Sequence, residues 1–262
     1  MRVSDFEDHE IYADLRATPP VIIRVDGRSF RNLLRKHRFE KPFDRRFASA
    51  MADAAESFFQ QSGLYPVVAY TFSDEINIIF TDALPFDGRI EKLVSVVPSY
   101  ISSVLTRSLD LPPIAFDGRV IPLHPEQIIE YLVWRQAEAW RNCINGYGYY
   151  TLRSAGLSGT EAASRMLGLR ASGIHELCFQ HGINLDKVPL WQRRGVLVYW
   201  EEYTKPGYDP VRDIEVVVNR KRVTQNWDLP IFASEEGGVM VRELVGVRNV
   251  YLSEVTTPDL GR

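Results

Sequence analysis

Two acidic positions carry the most chemical content in the sequence. Asp26 closes the apolar run Val21-Ile22-Ile23-Arg24-Val25, and the pair Asp74-Glu75 separates two further apolar runs 48 residues later. A carboxylate at the end of a buried strand is costly unless a cation or a hydrogen-bonding partner compensates it. Two such carboxylates from neighbouring strand ends match the needs of Mg2+, which takes one or two protein carboxylates and leaves its other octahedral positions to water and phosphate oxygens. A pair of ions held there would activate an attacking hydroxyl and steady a departing pyrophosphate. The same residues also fit a plain Asp-Gly turn and a turn cap, and spacing alone leaves both readings open.

Gly27 follows Asp26 and permits close backbone approach because it has no Cβ. Then eight basic residues, Arg28, Arg31, Arg35, Lys36, Arg38, Lys41, Arg45 and Arg46, crowd into nineteen positions opposed only by Glu40 and Asp44. This segment can fold over a triphosphate, with Lys41 as a point charge and Arg28 or Arg31 as bidentate donors; a solvated charged loop is the competing reading. His37 reads first as a loop histidine and second as a phosphate or nucleotide contact. Neither a Gly-x-x-x-x-Gly-Lys-Ser/Thr phosphate loop nor a dinucleotide glycine fingerprint occurs. Of the other two Asp-Gly-Arg triplets, the one at Asp87 reads as a turn opening a helix and the one at Asp117 as a turn with a site-adjacent arginine. Trp134, Trp140, Tyr147, Tyr149 and Tyr150 stand among Arg135, Arg141 and Asn142 and either pack a core or stack bases. Cys143 and Cys178 form no Cys-x-x-Cys pair, which points to reduced core thiols rather than zinc or disulfides.

The elements that must position these residues follow from periodicity. The β-branched run 21–26 predicts a buried strand with Arg24 and Asp26 on one face. Asp44 caps a helix to about Ser62, with Phe47, Met51, Ala54, Ala55 and Phe58 at helical spacing. Val67 to Phe80 reads as a hairpin with Ser73-Asp74-Glu75 at its tip. A helix over about Ile90 to Leu109 is expected to kink or break at Pro98. A strand over about Ala115 to Leu123 precedes a long helix that starts after His124-Pro125 and runs into Trp140. Short helices at Gly159 to Leu167 and Ala171 to His181 lead to a strand pair, Gly195 to Tyr203 and Asp213 to Thr224, joined by a turn over Lys205 to Pro210. This order predicts an α+β fold with a mainly antiparallel sheet and helices packed on one side, divided into a catalytic region 1–140 and a helical and hairpin region 141–262.

With 262 residues, 45% hydrophobic and 25% charged, the chain is neither disordered, collagen-like nor a coiled coil. No apolar run approaches the ~20 residues of a spanning helix. Residues 1–16, with Asp5, Glu7, Asp8 and Glu10, lack the basic start and apolar middle of a signal peptide, so a cytoplasmic location without a membrane partner is expected. A net charge of -3 argues against a generally basic nucleic-acid binder.

Five motifs stand in a fixed order: Arg24-Val25-Asp26-Gly27-Arg28-Ser29-Phe30, Lys36-His37-Arg38-Phe39-Glu40-Lys41-Pro42-Phe43-Asp44, Ser73-Asp74-Glu75, Phe116-Asp117-Gly118-Arg119-Val120 and Trp134-Arg135-Gln136-Ala137. With Leu157 to Leu167 and Arg193-Arg194-Gly195, they resemble the tRNA-His guanylyltransferase family over most of the chain. The resemblance implies a polymerase-like palm that adds nucleotides to the 5' end of tRNA in the 3'-5' direction. It implies Asp26 and Asp74 as side-chain ligands of two Mg2+ ions, the Gly27 carbonyl completing a site, and Glu75 as a neighbouring catalytic acid. Asp26, Gly27, Arg28, Ser29, Phe30, Arg31, Ser73, Asp74 and Lys41 match nucleotide-binding positions, with Arg24, His37 and Asp44 in support. ATP and GTP are the implied substrates, tRNA the implied partner, and a homotetramer built as a dimer of dimers the implied assembly.

One stretch departs from the eukaryotic pattern. Where those members carry His-Ile-Asn-Asn after the Trp-Arg-Gln-Ala segment, this chain has Trp140-Arg141-Asn142-Cys143 followed by Ile144-Asn145-Gly146-Tyr147. This is more similar to the archaeal and bacterial-type relatives, which extend or repair tRNA 5' ends against a template nucleotide. Template-dependent addition is therefore expected. A strict tRNA-His guanylyltransferase is the alternative, with a palm-fold nucleotide cyclase and a non-catalytic RNA-binding protein behind it.

Overall fold

The computed structural model describes residues 9–209 and 211–246. Asp5, Glu7 and Asp8 of the acidic amino terminus, Pro210 of the expected turn and residues 247–262 of the expected second region lie outside the described residues. The run read as a buried strand forms β1 (Val21–Gly27), and its neighbours are β2 (Val68–Phe72), β3 (Glu75–Phe80), β4 (Phe116–Pro122), β5 (Val196–Asp209) and β6 (Ile214–Asn226). All pairings are antiparallel, in the order β4-β1-β3-β2-β5-β6. The mixed architecture agrees with the expected α+β class.

Helices cover both faces of the sheet, not one as expected. α2 (Arg45–Gln61) and α3 (Ile90–Ser108) pack on the face presenting Val21, Ile23, Val25, Ile76 and Ile78. α4 (Pro125–Ser154) and α8 (Glu235–Val245) pack on the face presenting Ile22, Val68, Tyr70 and Ile79. The physical reason lies in the central strands: β2 and β3 are buried at every position, so each face carries apolar side chains that need cover.

α3 continues through Pro98 without the expected break. Pro98 is buried and its ring packs beside Gly118 of β4, where a Cβ would lie 2.7 Å from Pro98 Cγ and 3.1 Å from the Val94 carbonyl oxygen. Tertiary packing there overrides the lost helical hydrogen bond. β5 and β6 also run further than expected, pairing Lys205 with Val218 and Asp209 with Ile214, so residues 205–209 are strand and not turn. Proline is tolerated at 206 because β2 pairs with β5 only over Val196–Tyr199, leaving that edge of the outer ribbon unpaired.

Four further α-helices lie among the described residues, α1 (Phe30–Lys36), α5 (Gly159–Met166), α6 (Ala171–Gln180) and α7 (Leu190–Arg194), with short 3-10 turns at Pro85–Gly88 and Leu185–Lys187. α1, α7 and α8 stand where no helix was expected. α4 is continuous across residues 140–141, where the catalytic region was expected to end. Cys143 and Cys178 are free and buried, and burial pushes the Cys143 thiol up to about 12. No helix among the described residues is long and apolar enough to cross a membrane.

Candidate active site

The site forms where β1 ends beside the β2–β3 turn. Register sets Asp26 opposite Glu75 of β3 on one side and Asp117 of β4 on the other. One residue further, the Gly27 amide donates to the Asp74 carbonyl at 3.0 Å. The connecting turn has only two residues, Ser73 and Asp74; Ser73 adopts φ +52°, and its hydroxyl donates to Asp74 Oδ1 at 3.0 Å. Gly27 is required sterically: a Cβ there would lie 2.5 Å from Phe30 Cδ2 and 3.0 Å from Asp74 Cβ. Phe30 is itself fixed in the core by rings of Phe47 and Phe116, at 5.7 and 4.9 Å, so it contributes position to the segment and not an exposed contact.

Burial pushes the Asp74 carboxyl above the usual carboxylate range, the Ser73 hydroxyl pulls it back, Asp26 adds to the rise and Lys41 opposes it. Burial likewise lowers the Lys41 ammonium; Arg31 adds to that fall, while Asp44 and Asp74 oppose it. Asp26, Asp74, Lys41 and Arg31 therefore share one electrostatic neighbourhood. Arg28, Ser29 and Arg31 are exposed around it, and the Arg28 amide is tied to the Ala115 carbonyl at 2.9 Å.

Of the remaining candidates, Asp44 makes the cap expected of it and Glu75 is held from inside the protein. Asp44 caps α2: its oxygens accept from the Glu40 and Arg46 amides, both at 2.8 Å, and from the Arg46 guanidinium at 3.1 and 2.7 Å. Burial raises this carboxyl, but those hydrogen bonds outweigh burial and bring it down to about 2. Glu75 points into the protein, where Arg135 Nε and Nη2 grip its two oxygens at 2.9 and 2.6 Å. Arg24 lies within electrostatic reach of Glu75, with its Nε buried and unpartnered. His37 Nε2 is also buried without a partner.

Asp117 is a strand residue and not the expected turn. Its position opposite Asp26 was not legible in the sequence, because an Asp-Gly pair signals a turn by default. Asp87 does fall in a short turn before α3. The aromatic stretch is mostly packing: Tyr147 meets Phe43 at 5.9 Å and Trp140 meets His175 at 5.5 Å, while Trp134 is 48% exposed. The contacts of Arg135 and Gln136 were missed as well. Gln136 ties α4 to the chain after β6 through Pro230 O and the Phe232 amide, at 3.0 and 2.7 Å. Only their place on a buried helix face hinted at this.

Among the described residues no cluster of three or more His, Cys, Asp or Glu side chains can hold a metal ion. The donor chemistry nevertheless suits Mg2+: Asp26 and Asp74 are hard oxygen donors, close enough for the charge of one to raise the other, and one or two protein carboxylates are what this ion takes.

Together, fold and site define a palm-like α+β protein with a carboxylate pair at the end of an antiparallel sheet and a cationic arm beside it. A family model described as tRNAHis guanylyltransferase matches residues 1–124, and one described as Thg1 C terminal domain matches residues 126–229. A tRNA(His) guanylyltransferase of Neurospora crassa is 31% identical over 212 residues, covering 74% of this chain and 71% of that protein. A probable tRNA(His) guanylyltransferase of Drosophila melanogaster is 32% identical over 189 residues, covering 68% of this chain and 66% of the relative, so the match spans just under two thirds of its length. Two solved chains described as bacterial tRNA(His) guanylyltransferase (Thg1)-like protein share the fold. The complex with ATP has a TM-score of 0.73 at 23% identity, the complex with GTP 0.68 at 25%, and each match covers 92% of this chain and 97% of the solved one. The chain belongs to the tRNA(His) guanylyltransferase family.

Proposed function

We propose that the chain is a tRNA nucleotidyltransferase that extends 5' ends in the 3'-5' direction. A tRNA 5'-monophosphate oxygen attacks the α-phosphorus of ATP and pyrophosphate leaves; the 3'-hydroxyl of an incoming nucleoside triphosphate then attacks the activated 5' phosphorus and AMP leaves. The observation that carries this reading is the Gly27 to Asp74 hydrogen bond, which brings Asp26 and Asp74 together beside Lys41 and Arg31.

Asp26 and Asp74 are the residues that would hold Mg2+, with the Gly27 carbonyl as a further donor; the ion, when bound, acidifies a hydroxyl and neutralises phosphate charge. Lys41 and Arg31 bind triphosphate oxygens, Lys41 as a compact charge and Arg31 as a planar fork. Ser73 orients Asp74 through its hydroxyl. Catalysis of this kind is positioning plus electrostatic stabilisation, so rigid backbone ties between the ligand-bearing segments are its main structural requirement. The Trp140-Arg141-Asn142-Cys143 sequence supports templated addition.

The test incubates the protein with Mg2+, ATP and GTP and two 5'-monophosphorylated tRNAs. One lacks its first nucleotide opposite a cytosine; the other is an intact tRNA-His transcript carrying A73 without an extra guanosine. Restoration of the truncated end alone is the expected result. Addition opposite A73 would mark a strict guanylyltransferase, and no addition to either would overturn the proposal.

A further inference from the structure

The acid next to Asp74 in sequence is the one least able to act as a third metal ligand. Glu75 opens β3 and is 6% exposed. Its Oε1 accepts from Arg135 Nε at 2.9 Å and from Asn77 Nδ2 at 2.8 Å, and its Oε2 accepts from Arg135 Nη2 at 2.6 Å. Tyr131 in turn donates to Asn77 Oδ1 at 2.6 Å, and Thr71 Oγ1 donates to the Glu75 carbonyl at 2.8 Å. Three of roughly four lone-pair sites on this carboxylate are already used, and a guanidinium beside it repels a divalent cation.

Arg135 also reaches the other end of the turn. Its guanidinium lies 5.3 Å from the ring centroid of Phe72, with the Trp134 ring at 4.4 Å. One cation on α4 therefore holds both residues that flank Ser73-Asp74, while Gly27 holds the Asp74 backbone from β1. A buried ion pair is weak evidence for stability, since a well-packed apolar replacement often does as well. What a bidentate buried pair supplies is fixed geometry, and a misplacement of about 1 Å at a reacting centre costs about 100-fold in rate.

We infer that Arg135 is a positioning residue for Asp74, acting through Glu75 and Phe72, and that Glu75 anchors the β2–β3 turn instead of binding metal. This rests on the proposed nucleotidyltransfer. Arg135 touches neither the carboxylate pair nor the cationic arm, and its effect on the reaction passes through the turn.

The experiment uses the full chain and the variants Glu75→Gln, Arg135→Met, Arg135→Lys, the double variant Glu75→Gln/Arg135→Met, and Asp26→Asn. Three quantities are measured on each: melting temperature, the number of Mn2+ ions bound with a non-hydrolysable ATP analogue by electron paramagnetic resonance, and kcat and KM for tRNA extension. Each single neutral variant leaves one member of the buried pair charged and can destabilise the fold, whereas the double variant removes both charges of the pair; Arg24, within electrostatic reach of Glu75, stays in every variant. The double variant is expected to melt close to the parent and to bind the parental number of Mn2+ ions with KM for ATP nearly unchanged. Its kcat should nevertheless fall about 100-fold, and Arg135→Lys should recover part of the activity lost in Arg135→Met. Parental kcat in the double variant would overturn positioning, and loss of one Mn2+ ion in Glu75→Gln but not in Arg135→Met would make Glu75 a ligand. Full activity of Asp26→Asn would overturn the proposed function itself, a result separable from both.

Discussion

Gly27 donates its backbone amide to the backbone carbonyl of Asp74 at 3.0 Å, joining the end of β1 to the turn between β2 and β3. The bond depends on neither side chain, so it sets the separation of the two carboxylate-bearing segments before any ligand arrives. Preorganisation of this kind is what phosphoryl transfer needs, because reorganising charged groups during the reaction costs rate.

Gly27→Ala tests that tie. The added Cβ would meet the Phe30 ring at 2.5 Å and Asp74 Cβ at 3.0 Å, so either the core phenylalanine or the turn must move. The expected cost is about 1–3 kcal/mol of stability from overpacking together with a fall in kcat of about 100-fold. Urea denaturation and steady-state kinetics check it; parental kcat in this variant would contradict the role given to the close approach.

Asp44→Ala removes the cap of α2, an expected loss of about 1–2 kcal/mol near neutral pH. The Asp44 carboxyl is held near 2 in the folded protein against an ordinary 3.8. Its folded pKa is depressed, so its contribution is complete above the unfolded pKa and is lost as pH falls from about 4 to about 2. The stability gap between parent and variant, read by denaturant titration at several pH values, should close across that window. A gap independent of pH would contradict the assignment.

Asp74→Asn is expected to stabilise the metal-free protein, because it removes a buried charge that Asp26 repels. A gain of about 1 kcal/mol corresponds to roughly 2–4 °C in a chain of this size. Adding Mg2+ with nucleotide should raise the melting temperature of the parent and leave that of the variant unchanged. Differential scanning calorimetry with and without Mg2+ decides this, and a variant that melts below the parent without metal would contradict it.

Much of the site was legible in the sequence where local chemistry is decisive. Asp26 ends a β-branched run, Asp74 sits between two such runs, and both signals survive as β1 and the β2–β3 turn. The limits of α2 follow from the Asp44 cap and from Gly63 at φ +72°. What escaped depends on contacts between distant segments. Glu75 and Arg135 are 60 residues apart, and nothing local pairs them. α1 is hidden in a run of cations with one fully buried residue, Phe30, too short for helical periodicity to register. The second covered face of the sheet was signalled by the near-continuous apolar runs of β1, β2 and β3, which need cover on both sides, but the helix that supplies part of that cover, α8, lies in a stretch where no helix was expected. Pro206 and Gly207 carried a turn signal that the long β5–β6 ribbon overrode.

The central claim is that Asp26 and Asp74 together run the transfer. Its most direct measurement follows a 5'-labelled tRNA through adenylylation and nucleotide addition in single-turnover reactions with the parent, Asp26→Ala and Asp74→Ala, alongside circular dichroism of each. The account predicts that either variant keeps the parental fold and loses both steps by at least about 1,000-fold. Full activity of either variant in both steps would contradict it.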